Sequence, residues 1–386
     1  MSRKYTRTPY LVVQRSGHTR KDVYGSIDDV VALQAQHLVD DARHSTAVIA
    51  MHPIGSPGYL PFFSALARAG IPVVACATRY SNGDAALQME NVLLDLAACV
   101  RDAKERLGYE KVVLCGWSGG GSLMAGYQAE AQKPFIERTS ADEPTALSET
   151  ELLPADGLML VAAHRSRHHL VTEFLDPSVT DEADPDNRDP EWNLYDPANP
   201  HQPPYDPAYI AEYRERQVAR NRRITAYAKR TLAALRSQDA DAERSFVVHG
   251  TMADPRWLDP SVDPNGRTPG RCYMGSPKLV NDSPSGLARY STTRSWLSQW
   301  SYDDAQVDAV TAAARITVPS LVIENGRDDA VPIGHPRETF AALAATDKQL
   351  HVIPEANHYF SGPDQRHLLG DAVELVENWL GGHGFL

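Results

Sequence analysis

Short unbroken apolar runs alternate along the chain with longer stretches in which apolar residues recur every three or four positions. The runs 47–51 (AVIAM), 71–77 (IPVVACA), 111–115 (KVVLC) and 157–163 (GLMLVAA) have the length and content of strands buried on both faces. Helical periodicity fills about 60–69, ending at Gly70, and about 87–107, ending at Gly108. This alternation predicts an α/β fold, a mostly parallel sheet with helices on both faces.

Upstream, residues 10–13 and 22–27 predict two short strands around a polar turn at Ser16-Gly17. Residues 28–41, with Val30, Val31, Leu33, Leu38 and Val39 as apolar positions, predict a helix. The alternation stops near Arg165 and resumes with a strand at 319–323, a helix at about 336–345, a strand at 349–353 and a helix at about 364–380. The expected organisation is therefore a core formed by 1–164 and 314–386, with a cap, 165–313, inserted between the sixth and seventh core strands. Within the insertion, Pro- and Asp-rich residues 176–207 predict turns. Residues 209–237 predict a helix whose basic residues, among them Arg214, Arg220 and Arg222, form a solvated face. A short strand at 246–249, a loop-rich stretch and a helix at 286–300 complete it.

Composition narrows the classes. The chain has 386 residues, room for one large domain with an insertion or for two domains. A net charge of -12 opposes a nucleic-acid partner. No run is long enough to span a bilayer, and the basic start lacks the apolar stretch of a signal peptide, so no membrane partner and a cytoplasmic location are expected. Cys76, Cys99, Cys115 and Cys272 show no C-x-x-C spacing and read as reduced thiols. A homodimer through an edge strand or the cap face is left open.

The chemistry gathers around one turn. Gly116-Trp117-Ser118-Gly119-Gly120 spells G-x-S-x-G between a strand and a helix, a context that aims the serine hydroxyl out of a sharp turn. A serine nucleophile needs a base, and the base needs a carboxylate to orient it. His358 follows the last predicted strand; Asp328 and Asp329 both follow the strand before it; Asp254 is a weaker rival within the insertion. All but Asp254 fall at the carboxyl edge of the sheet, where sites form in open α/β folds. An oxyanion would be met by the N–H of Gly119 and by the loop His52-Pro53-Ile54-Gly55; Pro53 has no N–H, which leaves Ile54. His164, His168 and His169 cluster at the start of the insertion, but no carboxylate or cysteine is spaced nearby to complete a metal site, so no metal is expected.

The serine turn, the His-Pro loop, the order Ser118, Asp328, His358 and the capped sheet resemble the α/β-hydrolase superfamily, serine esterases and lipases in particular. The turn Asp329-Ala330-Val331-Pro332 resembles the one that closes the acid loop in such enzymes, which favours Asp328 and leaves Asp329 as its rival. The resemblance implies a cofactor-free hydrolase acting through an acyl-enzyme on Ser118, at an ester or related acyl bond, and the aromatic residues of the cap with Trp117 point to a small hydrophobic or aromatic substrate. C–C, amide and thioester hydrolysis, acyl transfer or perhydrolysis, and ligand binding without turnover share these features. Trp117, Trp192 and Tyr195 are candidate pocket residues, the last two equally readable as cap core.

Overall fold

The computed structural model describes residues 3–15 and 30–386; the expected strand at 22–27 and the turn at Ser16-Gly17 lie outside them. Eight strands form one sheet in the order β1-β2-β4-β3-β5-β6-β9-β10. They are β1 (Thr6–Arg15), β2 (Val30–Val39), β3 (Thr46–His52), β4 (Val73–Ala77), β5 (Lys111–Trp117), β6 (Gly157–Val161), β9 (Ser320–Asn325) and β10 (Lys348–Ile353). From β4 to β10 all neighbours are parallel; β2 runs antiparallel to both β1 and β4.

Every residue of β4, β6 and β9 is buried, and all but one of β3 and of β5. Helices covering both faces explain why these strands read as unbroken apolar runs. On one side lie α2 (Met89–Glu105) and α3 (Gly120–Gln132), packed through Val92, Leu96, Leu123 and Tyr127. On the other lie α1 (Pro61–Ala69) and α10 (Arg366–Gly382), packed through Phe62, Phe63, Val376 and Trp379. Gly70, left-handed at φ 92°, ends α1 as a C-cap glycine does.

The expected helix at 28–41 is a strand instead. Leu33 and Ala35 are buried while Ala32 and Gln34 between and beside them face out or half out. That spacing has a period of two, and pairing with β1 and β4 on either side rewards it.

Between β6 and β9 the chain leaves the sheet. It builds α4 (Arg167–Phe174), the long α5 (Pro207–Arg236), a ribbon of β7 (Ser245–Val247) and β8 (Tyr290–Thr292), and the short helices α6 (Pro277–Val280), α7 (Thr293–Ser295) and α8 (Ala309–Ala313). The helix expected over 286–300 starts only at Thr293. Residues 290–292 pair with β7, the Thr292 side chain then caps the new helix, and residues 296–300 widen into a π turn. Nor is the basic side of α5 wholly solvated: Arg220 is fully buried, with its guanidinium paired to Glu182. After β9 come α9 (Gly334–Ala342), β10 and α10. No helix among the described residues is long and apolar enough to cross a membrane.

Candidate active site

Ser118 sits at the carboxyl end of β5 with φ 52°, a left-handed conformation unusual for a residue with a side chain. Its N–H is held by the carbonyls of Val161 (3.3 Å) and Ala162 (3.1 Å), and its own carbonyl accepts from Gly121 at 3.0 Å. The flanking glycines are steric necessities. A Cβ on Gly116 would lie 2.5 Å from the Gly120 carbonyl oxygen, and one on Gly120 would lie 2.6 Å from that of Met51. The strain at Ser118 is thus imposed by the close crossing of β5, α3 and β3.

His358 is buried in the loop after β10, and Asp328 in the loop after β9. Nδ1 of His358 lies 2.9 Å from Oδ2 and 3.1 Å from Oδ1 of Asp328. Asp328 is itself fixed, because its Oδ1 accepts the N–H groups of Ala330 (2.8 Å) and Val331 (2.7 Å). The carboxylate requires a proton on Nδ1, so neutral His358 carries a bare Nε2, and that buried nitrogen has no hydrogen-bond partner among the described residues. Burial disfavours the imidazolium, but the charge of Asp328 and its hydrogen bond, with Asp329 behind, outweigh burial and raise the pKa above the ordinary histidine value.

Asp329 differs from its neighbour. Burial and then the charge of Asp328 raise its pKa, and its main-chain carbonyl accepts from Trp257 Nε1 at 2.9 Å. Asp254 lies elsewhere, paired with Arg214 and Arg256. The geometry brings Asp328, and neither rival, onto His358.

His52 Nδ1 lies 2.6 Å from the Ile54 carbonyl and 3.3 Å from the Ile54 N–H. The shorter contact needs a proton on Nδ1, which cannot then accept from Ile54, so the Ile54 N–H is left unused. Ser118, Ile54, His52, Leu60, Trp117 and Tyr359 line one cleft of about 400 Å³. The Trp117 ring meets His358 edge-on at 6.2 Å. Trp192 and Tyr195 are not in this wall. Trp192 stacks on Tyr209 at 5.0 Å within an aromatic cluster of the insertion, and the Tyr195 hydroxyl donates to the Met252 carbonyl at 2.5 Å. Their partners within 165–313 take up the surfaces that a substrate would need.

Several neighbours of the site escape a reading of the sequence. Asn265 Nδ2 (2.7 Å) and Arg267 Nε (3.2 Å) donate to the Asp328 carbonyl from the insertion. Tyr273 lies with its ring 6.0 Å from that of His358. His164 packs beside Gly119: a Cβ there would meet His52 Nε2 at 2.9 Å and His164 Nε2 at 3.3 Å. Tyr359 alone had a signal, its place beside His358.

The histidines at the start of the insertion do meet a carboxylate. Nε2 of His168 and of His169 each lie 3.8 Å from Oδ2 of Asp308, which stands 140 and 139 residues further on. The expectation that no acid completes the group is therefore corrected. Asp308, however, is already occupied: it accepts Arg165 at 3.0 Å and caps α8 through Val310 and Thr311. All four cysteines are buried and unpaired.

Solved structures resemble this architecture over most of its length. DcsB in complex with its substrate analogue aligns over 97% of this chain and 99% of its own, at 12% identity and a TM-score of 0.51. The chain has the α/β-hydrolase fold. The α/β-hydrolase GrgF from Penicillium sp. sh18 aligns over 97% of both chains at 12% identity and a TM-score of 0.49. The monoacylglycerol lipase of Paleococcus ferrophilus covers 90% of this chain and 99% of its own at 15% identity, with a TM-score of 0.44. No family model and no curated protein matches the sequence. At such identities an α/β-hydrolase fold is what the likeness carries; activity must be argued from the site.

Proposed function

We propose that this α/β-hydrolase-fold protein is a cofactor-free serine hydrolase that cleaves an ester or related acyl bond of a small substrate through an acyl-enzyme on Ser118. The observation that supports this most is the buried His358–Asp328 pair, which leaves an unprotonated, unpartnered Nε2 in a residue next to Tyr359 of the Ser118 cleft.

In this reading Ser118 Oγ attacks the acyl carbon and His358 Nε2 takes its proton. The oxyanion receives the N–H groups of Gly119 and Ile54. His358 then protonates the leaving group as the carbonyl reforms. Water, deprotonated by His358, releases the acid and restores Ser118. Asp328 holds the tautomer and faces the imidazolium. Residues 165–313 act as a cap on a core made of 1–164 and 314–386, and the bonds from Asn265 and Arg267 to the acid loop are its link to the chemistry.

A fluorophosphonate probe should label Ser118, and Ser118→Ala should lose the label and about 10³-fold or more in kcat on an ester panel. Unchanged turnover in that variant would overturn the reading. Asp328→Asn should cut kcat by about 10³–10⁴-fold, and Asp329→Asn should retain most of it. Because the neutral imidazole is the base and its pKa is raised, activity should be lost as pH falls through a value above about 6.5. Asp328→Asn should move that limb to lower pH.

A further inference from the structure

Arg167 opens α4, where the chain passes from the carboxyl end of β6 into the insertion. Its side chain is 5% exposed and lies 4.2 Å over the ring of Trp300. Nε donates to Gln299 Oε1 at 2.8 Å and Nη2 to Asp84 Oδ2 at 2.6 Å. A guanidinium carries five N–H donors, so both donors of Nη1 and one of Nη2 have no acceptor among the described residues. Arg220, buried in the same segment, shows the contrast: its donors make five bonds, two to Glu182 and three to the carbonyls of Asp176, His249 and Gly250. Arg220 is complete within the fold, and Arg167 is not.

Asp84, which accepts from Nη2, ties this guanidinium to the loop beside the candidate active site. Asp84 directly follows Ser81, Asn82 and Gly83, which line the Ser118 cleft. Burial first, and then the charge of Arg167 among others, holds down the pKa values of His52 and His164, the two imidazoles that border Gly119. The same charge reaches Tyr273, whose ring packs near His358. Buried charged donors are costly to leave unpaired.

Resting on the reading of Ser118 as nucleophile, we propose that the free donors of Arg167 receive a carboxylate of the substrate, so that the preferred substrate is an acyl ester ending in a carboxylate, such as a dicarboxylic half-ester. Two parallel N–H groups on the free edge suit a planar carboxylate. A phosphate dianion would face Asp84 at close range with a second negative charge. A purely apolar acyl end would seal three charged donors away from any acceptor. Asp84 is 21% exposed and keeps more of its charge screened by water than Arg167, which is 5% exposed.

The test compares monomethyl succinate, glutarate and adipate with methyl butyrate, valerate and hexanoate, each pair matched in chain length and followed by acid release. At least one anionic ester should exceed its neutral partner by about tenfold or more in kcat/KM. That ratio should fall about tenfold in Arg167→Gln and less in Arg167→Lys, which keeps the charge but not the fork. The ratio is taken within one preparation, so loss of folded protein cancels. No anionic preference in the native protein, or the same ratio in Arg167→Gln, overturns the proposal. If Ser118 takes the fluorophosphonate label and the preference is absent, the inference fails while the hydrolase reading stands. If Ser118 is neither labelled nor active, calorimetric titration of glutarate decides: binding weakened about tenfold by Arg167→Gln supports the Arg167 site, and equal or absent binding overturns it.

Discussion

The central strands β3, β4, β5, β6 and β9 bury aliphatic side chains against helices on both faces, whereas the segment between β6 and β9 buries arginines. Arg167, Arg220, Arg256, Arg267, Arg289 and Arg294 are each at most 7% exposed, and among the described residues no arginine outside that segment is buried. Their partners are carboxylates and main-chain carbonyls: Arg256 with Asp254, Arg294 with Glu143 and the carbonyls of Ala240 and Ala242, Arg289 with those of Val248, Asn281 and Ser283. Much of the insertion is turn and loop, whose main-chain carbonyls lack the partners a sheet or helix supplies. Multidentate arginines fill that need, and they make the segment sensitive to any change that removes one partner of a buried pair.

The largest effect should come from taking out such a residue. Arg220→Met strands Glu182 and three carbonyls and should destabilise by about 3–5 kcal/mol. The damage should fall on amide exchange in 165–313 first, while β3 and β5 stay protected. Leu66→Ala, at a fully buried position of α1, removes a comparable amount, about 2–5 kcal/mol, and should loosen the sheet side instead. Uniform loss of protection after Arg220→Met would show that the two regions unfold as one and erase the distinction.

The same contrast governs what the sequence reveals. The central strands and the serine turn are legible because their determinants are local: Gly116, Ser118 and Gly120 lie within five residues, and β3, β4, β5, β6 and β9 are runs of buried, mostly aliphatic residues. His358 and the Asp328/Asp329 choice follow from loop position, but only the 2.9 Å contact to Nδ1 separates the two acids. β2 is misread because its apolar residues fit either period until a neighbour is paired with them. The insertion resists reading because its bonds join distant residues. Arg165 meets Asp308 across 143 positions and Arg294 meets Glu143 across 151, with no periodicity to announce either. The free edge of Arg167 is invisible for the same reason, since it is defined by the acceptors that fail to arrive.

A middle-sized effect should appear with pH at the junction between the two regions. Burial lowers the pKa of His168 to about 3 and of His169 to about 4, with the Arg165 charge acting in the same direction and Asp308 against it. Unfolded histidines titrate near 6.5, so between about 4 and 6.5 the unfolded chain binds more protons than the folded one. Stability must therefore fall as pH falls through that window. The melting temperature should decline between pH 7 and 4.5, and the double variant His168→Gln/His169→Gln should flatten the decline. An unchanged slope in that variant would place the acid sensitivity outside the junction.

The smallest effects should come from ion pairs that exist in both regions but are exposed. Glu212–Arg216 in α5 and Arg101–Glu105 in α2 are i,i+4 pairs with both side chains at least 43% exposed. Water screens them, so Glu212→Gln should cost no more than about 0.5 kcal/mol. Glu105→Gln should cost less still or stabilise slightly. Its acid is the last residue of α2, where a negative charge opposes the helix dipole, and the pair runs in the weaker Arg-to-Glu direction. Chemical denaturation of the two variants measures both. If Glu212→Gln matched the loss from Arg220→Met, the number of ion pairs would matter as much as their burial. Near-neutral results in both helices would mean that what distinguishes the insertion from the sheet is the desolvation of its arginines and the number of their donors that the fold satisfies.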